Sequence, residues 1–314
     1  MLVPRAIESV LGQEFTELEL IVVDDGSTDQ TRQVISRIDD ERLHYIVLGR
    51  NRGNYAARNE GIRQAKGEFI AHIDSDDRWL PQKISYQFDL FQKYKHLDLI
   101  FCNFSELNDK NGTSTDNLDQ NQRAFQQLRV RELEREVWEI LGGLPEALLV
   151  STLIAQPTVM LRRSTMESIG NYNEELRGGG DFEYWWRAAL RGAKFAHTTR
   201  IFLERHRPEQ SLTADKLAVN VRHLQALQIC GQTARDLGRI DLFPLLQNAR
   251  FVSWCRIIFE HIHRAEFKDA ILAYQDSLKY GSPFDLLFYV GKVMIRRGKE
   301  RIIKLFRWMK KKIR

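Results

Sequence analysis

Leu18 to Asp29 read LELIVVDDGSTD, an apolar, β-branched run that ends in two carboxylates, a glycine and small polar residues. Such a run is typical of a buried strand in a parallel sheet, and the residues after it suit a turn at the strand's carboxyl end. Gln30 to Ile38 has the pattern of a helix. The stretch therefore predicts a strand–turn–helix unit of an α/β protein.

The same alternation of strand and helix continues to about residue 101. Predicted strands cover Leu43–Val47, Glu68–Ile73 and Leu97–Phe101, and predicted helices cover Asn54–Ala65 and Lys83–Lys93. Beyond about residue 215 the pattern is almost entirely helical. We therefore expect an α/β fold with a mostly parallel sheet flanked by helices, followed by an all-helical C-terminal region.

Two acidic clusters follow predicted strands. Asp24-Asp25 is one, and the stretch HIDSDD at residues 72–77 is the other. Ligands of such sheets bind beyond the carboxyl ends of the strands, so the two clusters are expected to share one site. Neighbouring carboxylates repel each other unless a positive group lies among them, and Mg²⁺ or Mn²⁺ with phosphate oxygens would satisfy them. Taken alone, the D-x-D pattern fits a solvated turn better.

Composition narrows the class of protein. The 314 residues are 43% hydrophobic and suffice for one large domain with an appendage or for two domains. Cys102, Cys230 and Cys255 form no CxxC pair, which argues against a zinc site or a disulfide framework and fits a reducing cytoplasm. No apolar run approaches the length of a membrane span, and the N-terminus does not resemble a signal peptide.

Positive charge is concentrated at the C-terminus. Residues 291–314 contain eleven Lys or Arg and one Glu, a net charge of +10. Because the whole chain has a net charge of +5, the remaining residues carry a net charge of −5. The apolar residues of this tail recur at helical spacing: Ile302, Leu305, Phe306, Met309 and Ile313. A basic amphipathic helix of this kind commonly lies on anionic lipid. A nucleic-acid patch and a helix docked on the body are the alternatives, although no nucleic-acid fold motif precedes the tail.

Four motifs, in this order, resemble those of family 2 glycosyltransferases. They are Glu19–Asp29 (ELIVVDDGSTD), Asn51–Gly53 (NRG), Ala57–Ile62 (ARNEGI) and Asp74–Pro81 (DSDDRWLP). The resemblance runs from about residue 2 to residue 213. It implies the GT-A fold, a nucleotide-sugar donor and inversion of the anomeric carbon. It also implies a nucleotide-sugar-binding half (1–105), an acceptor-binding half (106–213) and a helical C-terminal region (214–314).

The resemblance assigns roles to residues of the first half. It implies that Asp25 accepts a hydrogen bond from the nucleotide base and that Asp24 supports this loop. It implies that Asp76 is the main ligand of Mg²⁺ or Mn²⁺ and that Asp74 completes the D-x-D motif. Arg58 would lie near the nucleotide, although a surface arginine on a helix is an equally good interpretation.

The resemblance also implies a general base in the segment GGDFEYWWR, residues 179–187. An inverting transfer needs a base on the acceptor hydroxyl, and Asp181 matches the family's catalytic aspartate. The family's preceding glutamate is Gly180 here. The alternative for Asp181 is a helix cap. Glu183, two residues on, is a lesser candidate for substrate binding.

Two further side chains have alternative interpretations. His206, within Arg205-His206-Arg207, resembles the family's late His-containing loop, where a positive group would stabilise the leaving diphosphate. A solvated basic turn is the other interpretation of this segment. Asp77 is expected to cap the helix that follows it.

The sequence as a whole predicts an inverting, metal-dependent glycosyltransferase. Its donor would be a nucleotide-sugar, with UDP-sugars favoured. Its acceptor would be a glycan or lipid-linked saccharide in cell-surface polysaccharide synthesis. We expect it in the cytoplasm, peripheral on the inner face of the plasma membrane, with no nucleic-acid partner. A nucleotidyltransferase on a similar sheet and a non-catalytic membrane-associated scaffold are the alternatives. No Q-x-x-R-W stretch is present, which favours transfer of single sugars.

The resemblance also raises a question about the N-terminus. The family usually opens with an apolar strand and a loop that grips the nucleotide, and this sequence begins after both. That strand would lie inside the sheet, so we expect unpaired backbone groups there. A mis-assigned start and a truncated fragment are favoured over a decayed copy, because the acidic residues are retained.

Overall fold

The computed structural model of the protein describes residues 2–107, 114–206, 215–282 and 285. The chain divides into two compact units, Met1–Ser211 and Leu212–Arg314. The predicted basic tail, residues 291–314, lies outside the described residues.

Ten strands lie within the described residues, all of them in the first unit. They are β1 (Leu20–Asp24), β2 (Leu43–Val47), β3 (Phe69–Ala71), β4 (Arg78–Trp79), β5 (Leu99–Leu107), β6 (Ser114–Asp116), β7 (Arg129–Glu134), β8 (Val137–Gly142), β9 (Val159–Arg162) and β10 (Phe195–His206). The helices of this unit are α1 (Val3–Leu11), α2 (Thr31–Ile35), α3 (Asn54–Gln64), α4 (Lys83–Lys93), α5 (Asn117–Gln120), α6 (Gln122–Phe125), α7 (Leu144–Val150), α8 (Arg163–Ile169) and α9 (Gly180–Leu190).

The strands form two separate sheets. β1 and β2 pair in parallel, with Leu20 opposite Leu43. The other sheet has the order β3-β9-β5-β10-β8-β7, with β4 on β10 and β6 on β5. In this sheet β5 and β10 are parallel, whereas the other described pairs are antiparallel.

The predicted α/β class, a sheet flanked by helices and followed by a helical region, is confirmed. The strand directions are more mixed than the predicted mostly parallel arrangement. The reason is that β9 runs opposite to both of its neighbours, β3 and β5, and β8 runs opposite to β10. Antiparallel strands need no helical crossover, so helix–strand alternation did not reveal the directions of these strands.

Buried apolar side chains fix the elements that carry the acidic residues. α1 buries Ile7 and Val10 in a cluster with Leu20 of β1 and Trp79 of β4. Burying a side chain of this size contributes about 1.5–3 kcal/mol. The loops after β1 and before β4 are therefore attached to one packed core.

β1 and β3 do not pair with each other in the described part of the chain. Both border a cavity of about 940 Å³, lined by Ile21 and Val23 from β1 and by Phe69, Ile70 and Ala71 from β3. β1 pairs only with β2, and β3 only with β9, so each strand keeps one open edge among the described residues. These edges are where the sequence predicts unpaired backbone groups.

The second unit contains α10 (Lys216–Asp236), α11 (Phe243–His263) and α12 (Phe267–Ser277). Asp215 caps α10 by accepting hydrogen bonds from the backbone of Leu217 and Ala218. Its core includes Phe251, Cys255 and Ala273. Of the helices described in either unit, none combines the length and apolar content that crossing a bilayer would need.

Candidate active site

Asp24 ends β1 and is buried, with 7% of its surface exposed. The Tyr45 hydroxyl donates to its Oδ2 at 2.5 Å, and the Ser27 backbone N–H donates to its Oδ1 at 2.7 Å. Burial alone would raise the pKa of Asp24, but these hydrogen bonds outweigh it and lower the pKa below its ordinary value. Asp24 therefore ties the turn after β1 to the neighbouring strand.

Asp25 connects the first acidic motif to the Asn-Arg-Gly motif. Its Oδ1 accepts from the Arg52 backbone N–H at 2.6 Å, and its Oδ2 accepts from the Gly53 N–H at 2.7 Å. Gly26 follows it with φ +81°, and a Cβ there would lie 2.8 Å from the Arg50 carbonyl carbon. Only glycine fits this close approach. A contact with a nucleotide base, as predicted, would use the lone pairs that remain on Asp25.

Arg58 lies at the centre of the acidic residues, on α3. Its Nη2 donates to Asp74 Oδ1 at 2.7 Å, and its Nη1 lies 3.5 Å from Asp181 Oδ1. Only 15% of the side chain is exposed, so the interpretation as a surface arginine is wrong. Burial opposes the charge of Arg58, but the two carboxylates outweigh it and raise the Arg58 pKa further. The guanidinium is therefore the positive group that the clustered carboxylates require.

Asp181 is held by contacts to α3 and not by a capping interaction. α9 begins at Gly180 after Gly179, which has a left-handed φ of +73°, and no side chain caps this helix. Oδ1 of Asp181 accepts from the Tyr55 hydroxyl at 2.7 Å, and that hydroxyl accepts from the Gly180 backbone N–H at 2.7 Å. The helix-cap interpretation of Asp181 is therefore not supported.

Gly180, where the family has a glutamate, makes room for Tyr55. A Cβ built on Gly180 would lie 2.5 Å from the Tyr55 ring. Side-chain carbons do not approach this closely in proteins, so Tyr55 could not occupy its position beside any other residue at 180. Glycine at position 180, where the family has a glutamate, therefore allows Tyr55 to place its hydroxyl against Asp181.

The loop after β3 carries Asp74 and Asp76. Asp74 is bound to Arg58, as described above, and 32% of its side chain is exposed. Asp76 is part-buried, and burial followed by the negative charge of Asp74 raises the pKa of Asp76. A divalent cation between the two carboxylates would remove this repulsion. Two carboxylates completed by phosphate oxygens and water suit Mg²⁺ or Mn²⁺, so these residues fit the predicted ion.

Asp77 does not cap a helix, so that prediction is wrong. α4 begins six residues later, at Lys83, with Gln82 at its N-cap. Asp77 is 1% exposed, and its Oδ1 accepts from the His206 backbone N–H at 3.3 Å. Its Oδ2 is buried with no hydrogen-bond partner among the described residues. Burial, then the charge of Asp74, raises the pKa of Asp77 to about 8.

His206 ends β10 beside this loop. Its Nε2 lies 2.6 Å from Nη1 of Arg5, and Nη2 of the same arginine donates to the Asp76 backbone carbonyl at 2.8 Å. The structure therefore brings the predicted histidine next to the D-x-D loop. Arg207 lies outside the described residues.

Glu183 is not part of this group. It is 2% exposed, and its two carboxylate oxygens accept from Nε and Nη2 of Arg187 at 2.7 and 3.2 Å. This i,i+4 ion pair lies within α9. The structure therefore gives Glu183 a role in the packing of α9.

Three residues that contact the site were not predicted from the sequence: Arg5, Tyr45 and Tyr55. Tyr55 precedes Arg58 by three positions on one helix, so the i,i+3 rule places the two side chains together. That spacing was a usable signal, and the Arg58 carbon that joins the two Nη atoms lies 5.5 Å from the Tyr55 ring centroid. Arg5 and Tyr45 gave no such signal, because their partners are distant in the sequence.

Comparison with known proteins identifies the same family that the sequence motifs resemble. Residues 2–143 match the model of a family described as "Glycosyl transferase family 2". TuaG of Bacillus subtilis, a putative teichuronic acid biosynthesis glycosyltransferase, is 38% identical over 89 residues, which cover 28% of this chain and 35% of TuaG.

A second relative has a more specific description. WfaP of Escherichia coli, a UDP-Glc:alpha-D-GlcNAc-diphosphoundecaprenol beta-1,3-glucosyltransferase, is 40% identical over 89 residues, which cover 28% of this chain and 36% of WfaP. This chain therefore spans about a third of the length of either relative.

Solved structures resemble this chain over more of its length than the sequence relatives do. The crystal structure of residues 1–349 of S. aureus TarS in complex with UDP superposes with a TM-score of 0.52 at 19% identity, covering 89% of this chain and 88% of that TarS chain. The mannosyltransferase PcManGT of Pyrobaculum calidifontis, in complex with GDP-Man and Mn²⁺, gives 0.58 at 14% identity, covering 96% and 78%. At these identities the likeness shows a shared fold.

Proposed function

Since this chain belongs to glycosyl transferase family 2, we propose that it transfers a sugar from a nucleotide-sugar to a hydroxyl acceptor with inversion of the anomeric carbon. The observation that carries the proposal is the position of Arg58 between Asp74 and Asp181. These residues come from α3, from the loop after β3 and from the start of α9. One guanidinium thereby joins the proposed metal-binding loop to the proposed base.

The proposed chemistry is a single displacement. Asp181 takes the proton of the acceptor hydroxyl as its oxygen forms a bond to the anomeric carbon. The bond from that carbon to the diphosphate oxygen breaks, and the nucleoside diphosphate leaves with the electron pair. A positioned base of this kind typically contributes a factor of about 10²–10⁴. The Tyr55 hydroxyl orients Asp181, and Arg58 balances the charge of the two carboxylates.

The donor would occupy the edge where β1 and β3 end. Asp25, directly after β1, would contact the nucleotide base. His206, beside the D-x-D loop, would contact the diphosphate. Asp76 and Asp74 would hold Mg²⁺ or Mn²⁺, which when bound supplies a Lewis acid at the leaving diphosphate. The repulsion between the charges of Asp74 and Asp76 supports this part, because a bound cation would relieve it.

The substrate class is proposed from the relatives. WfaP is described as using UDP-Glc and a diphosphoundecaprenol-linked sugar, and TuaG is described in teichuronic acid biosynthesis. We infer a UDP-sugar donor and a lipid-linked saccharide acceptor in cell-surface polysaccharide synthesis. The basic amphipathic tail would hold the enzyme on the inner face of the plasma membrane, beside such an acceptor.

The test is a donor screen followed by variants. The purified protein is incubated with Mn²⁺, a lipid-linked GlcNAc diphosphate acceptor and each of UDP-glucose, UDP-GlcNAc and GDP-mannose. Release of a nucleoside diphosphate and a β-configured product is the expected result. Asp181→Asn and Asp76→Ala should each abolish transfer while the circular dichroism spectrum stays unchanged.

Asp89→Asn is the matched control, because Asp89 is an exposed carboxylate on α4, a helix that carries none of the proposed site residues. It should retain full turnover. Normal turnover in Asp181→Asn would show that Asp181 is not the base. Release of inorganic diphosphate in place of a nucleoside diphosphate would identify a nucleotidyltransferase.

A further inference from the structure

Arg177, between α8 and α9, makes a contact with the Asn-Arg-Gly motif that the proposed mechanism does not use. Its Nη1 donates to the backbone carbonyl of Arg52 at 2.7 Å. The next backbone N–H, that of Gly53, donates to Asp25 Oδ2 at 2.7 Å. The Arg52 carbonyl and the Gly53 N–H belong to one planar peptide unit. Arg177 and Asp25 therefore hold opposite sides of the same peptide.

Glycine at position 53 makes this arrangement possible. The φ of Gly53 is +99°, and a Cβ built there would lie 2.2 Å from Nη1 of Arg177. Any other residue at this position would strain the backbone and would displace the guanidinium from the Arg52 carbonyl. The guanidinium thus occupies the space that a side chain at position 53 would fill.

The segment that carries Arg177 is attached to α3 by other contacts as well. Asn59 of α3 exchanges two hydrogen bonds with the backbone of Tyr172, at 2.9 and 3.0 Å, and its amide also donates to Glu174 at 3.0 Å. None of these contacts involves Arg177. The hydrogen bond of Arg177 therefore has a separate effect, which is on the peptide that binds Asp25.

We propose that Arg177 is a positioning residue for the donor nucleotide, because it fixes the peptide that orients the carboxylate of Asp25. A hydrogen bond accepted by the carbonyl of a peptide polarises the unit and strengthens the bond that its N–H donates. Asp25 then presents its remaining lone pairs to the nucleotide base in a fixed direction. The part of this role that concerns the nucleotide rests on the proposed function.

An arginine that only anchors its segment is the simpler alternative. Loss of Arg177 would then resemble loss of another anchor, such as Glu174, which contacts the side chains of Arg52 and Asn59. Under the proposal only the loss of Arg177 loosens the Gly53 amide. The two roles therefore differ in a measurement that needs no substrate.

That measurement is amide hydrogen exchange in the unliganded full-length protein. Labelling with ¹³C-carbonyl arginine and ¹⁵N-glycine selects the glycines that follow an arginine, which are Gly53, Gly178, Gly192 and Gly298. In Arg177→Ala the Gly53 amide should exchange roughly tenfold faster, as expected for a weakened hydrogen bond. Arg177→Lys keeps a donor and should retain most of the protection, and Glu174→Ala should change it little.

Binding of UDP, measured by calorimetry, is the second readout. Arg177→Ala should weaken UDP binding by roughly tenfold, while kcat at saturating donor changes little. Arg177→Lys should restore part of the affinity. Arg63→Ala is the matched control, because Arg63 pairs with Glu60 on the surface of α3 and its side chain is 66% exposed. It should bind UDP normally.

Two results would overturn the positioning of the peptide: unchanged Gly53 exchange in folded Arg177→Ala, or equal acceleration in Glu174→Ala. Faster exchange with unchanged UDP affinity would contradict the role in donor recognition. Should the unmodified protein neither bind UDP nor transfer a sugar, the proposed function fails. The exchange of Gly53 would still decide whether Arg177 positions the peptide that binds Asp25.

Discussion

The Tyr55 hydroxyl donates to Asp181 Oδ1 at 2.7 Å and accepts from the Gly180 backbone N–H at 2.7 Å. Tyr55 belongs to α3 and Asp181 to the first turn of α9, so the two halves of the site meet at one oxygen atom. The ring of Tyr55 is 2% exposed and stacks on Tyr172 with 5.9 Å between centroids. The hydroxyl is therefore fixed in position before any substrate arrives.

Tyr55→Phe should lower kcat by roughly 10- to 100-fold with little change in donor KM. A hydrogen bond to a charged group contributes about 1.5–3 kcal/mol, and each 1.36 kcal/mol corresponds to a factor of ten in rate. Asp181 would keep its charge but lose the donor that fixes its rotamer. Steady-state kinetics at saturating donor measures the effect.

The control for this prediction is Tyr45→Phe, which removes a hydroxyl from Asp24 and not from Asp181. It should affect donor binding more than kcat. A tyrosine-to-phenylalanine change at position 55 that left kcat intact would show that Asp181 needs no orienting donor.

Gly180→Ala should reduce both stability and activity. The new Cβ would lie 2.5 Å from the Tyr55 ring, and the ring is packed on its other side. Overpacking of this kind typically costs about 1–3 kcal/mol. Chemical denaturation should show that loss, and kcat should fall because Tyr55 moves away from Asp181.

A double-mutant cycle with Tyr55→Leu tests this explanation. The smaller leucine should relieve the clash, so the double variant should lose less stability than the sum of the single losses. Strict additivity would mean that the Gly180 effect has another cause. Gly192→Ala serves as a comparison, because nothing lies within 4 Å of a Cβ there, although its φ of +84° adds backbone strain.

The strand and helix alternation of the first hundred residues could be predicted, because these segments are apolar runs with clear turn residues between them. β7 could not be predicted from the sequence. Its residues, RVRELE, have no regular apolar alternation, and the strand pairs with its hairpin partner β8. β10 extends over twelve residues because it pairs with β5 along most of its length, a long-range contact that no local pattern contains.

The acidic residues of the site could be predicted from their motifs, but their partners could not. Arg58 was found by its motif, yet its position between two carboxylates depends on how α3 packs against α9. Arg5 contacts a residue 201 positions away, and only the folded chain brings them together. Packing also determines that Glu183 faces Arg187 inside the protein, although its sequence neighbourhood suggested a site residue.

Lys83 should make stability depend on pH in the alkaline range. Its Nζ donates to Gln87 at 2.8 Å and lies 4.2 Å from the Trp79 ring centroid, and the side chain is fully buried. Burial lowers the pKa of Lys83 from 10.5 to about 8. Between these values the unfolded chain binds more protons than the folded one, so the free energy of unfolding rises with pH. The rise attributable to Lys83 is on the order of 3 kcal/mol.

Lys83→Met should remove this rise, because methionine does not titrate. Urea unfolding at pH 7.5 and pH 10 gives the difference between the variant and the unmodified protein. Lys95→Met is the matched control, since Lys95 is exposed on the same segment of chain. Equal pH dependence in all three proteins would show that folding does not lower the pKa of Lys83.

The basic tail should bind anionic membranes through its lysines. Replacing Lys310, Lys311 and Lys312 by glutamine removes three positive charges, each worth about 1 kcal/mol near an anionic surface. Partitioning onto vesicles that contain phosphatidylserine should therefore fall by roughly 100-fold. Sedimentation of the protein with vesicles measures this partitioning.

A triple variant elsewhere controls for net charge. Lys66, Lys95 and Lys279 are exposed lysines outside the tail, and their replacement by glutamine should leave vesicle binding unchanged. Neutral vesicles should bind all of the proteins weakly. If both triple variants lost vesicle binding equally, the overall net charge would explain the binding, and the tail would not be the membrane contact.

The open edge of β1 should be visible in hydrogen exchange. The Leu20 N–H donates to the Arg42 carbonyl at 2.8 Å, so this amide faces β2. Alternate residues of a strand face the same side of the ladder, which places the amides of Ile21 and Val23 on the edge toward the cavity. These two amides should exchange roughly 100-fold faster than those of Leu20 and Val22 under native conditions, as unpaired amides open at little free-energy cost.

Ile100 provides the reference, because it lies in β5 between β9 and β10 and is fully buried. Its amide should exchange only with global unfolding. Ile21 and Val23 should approach this protection only if another extended segment pairs with β1. Slow exchange of both amides would therefore show that another extended segment covers the edge of β1, and it would contradict the open edge between the two sheets.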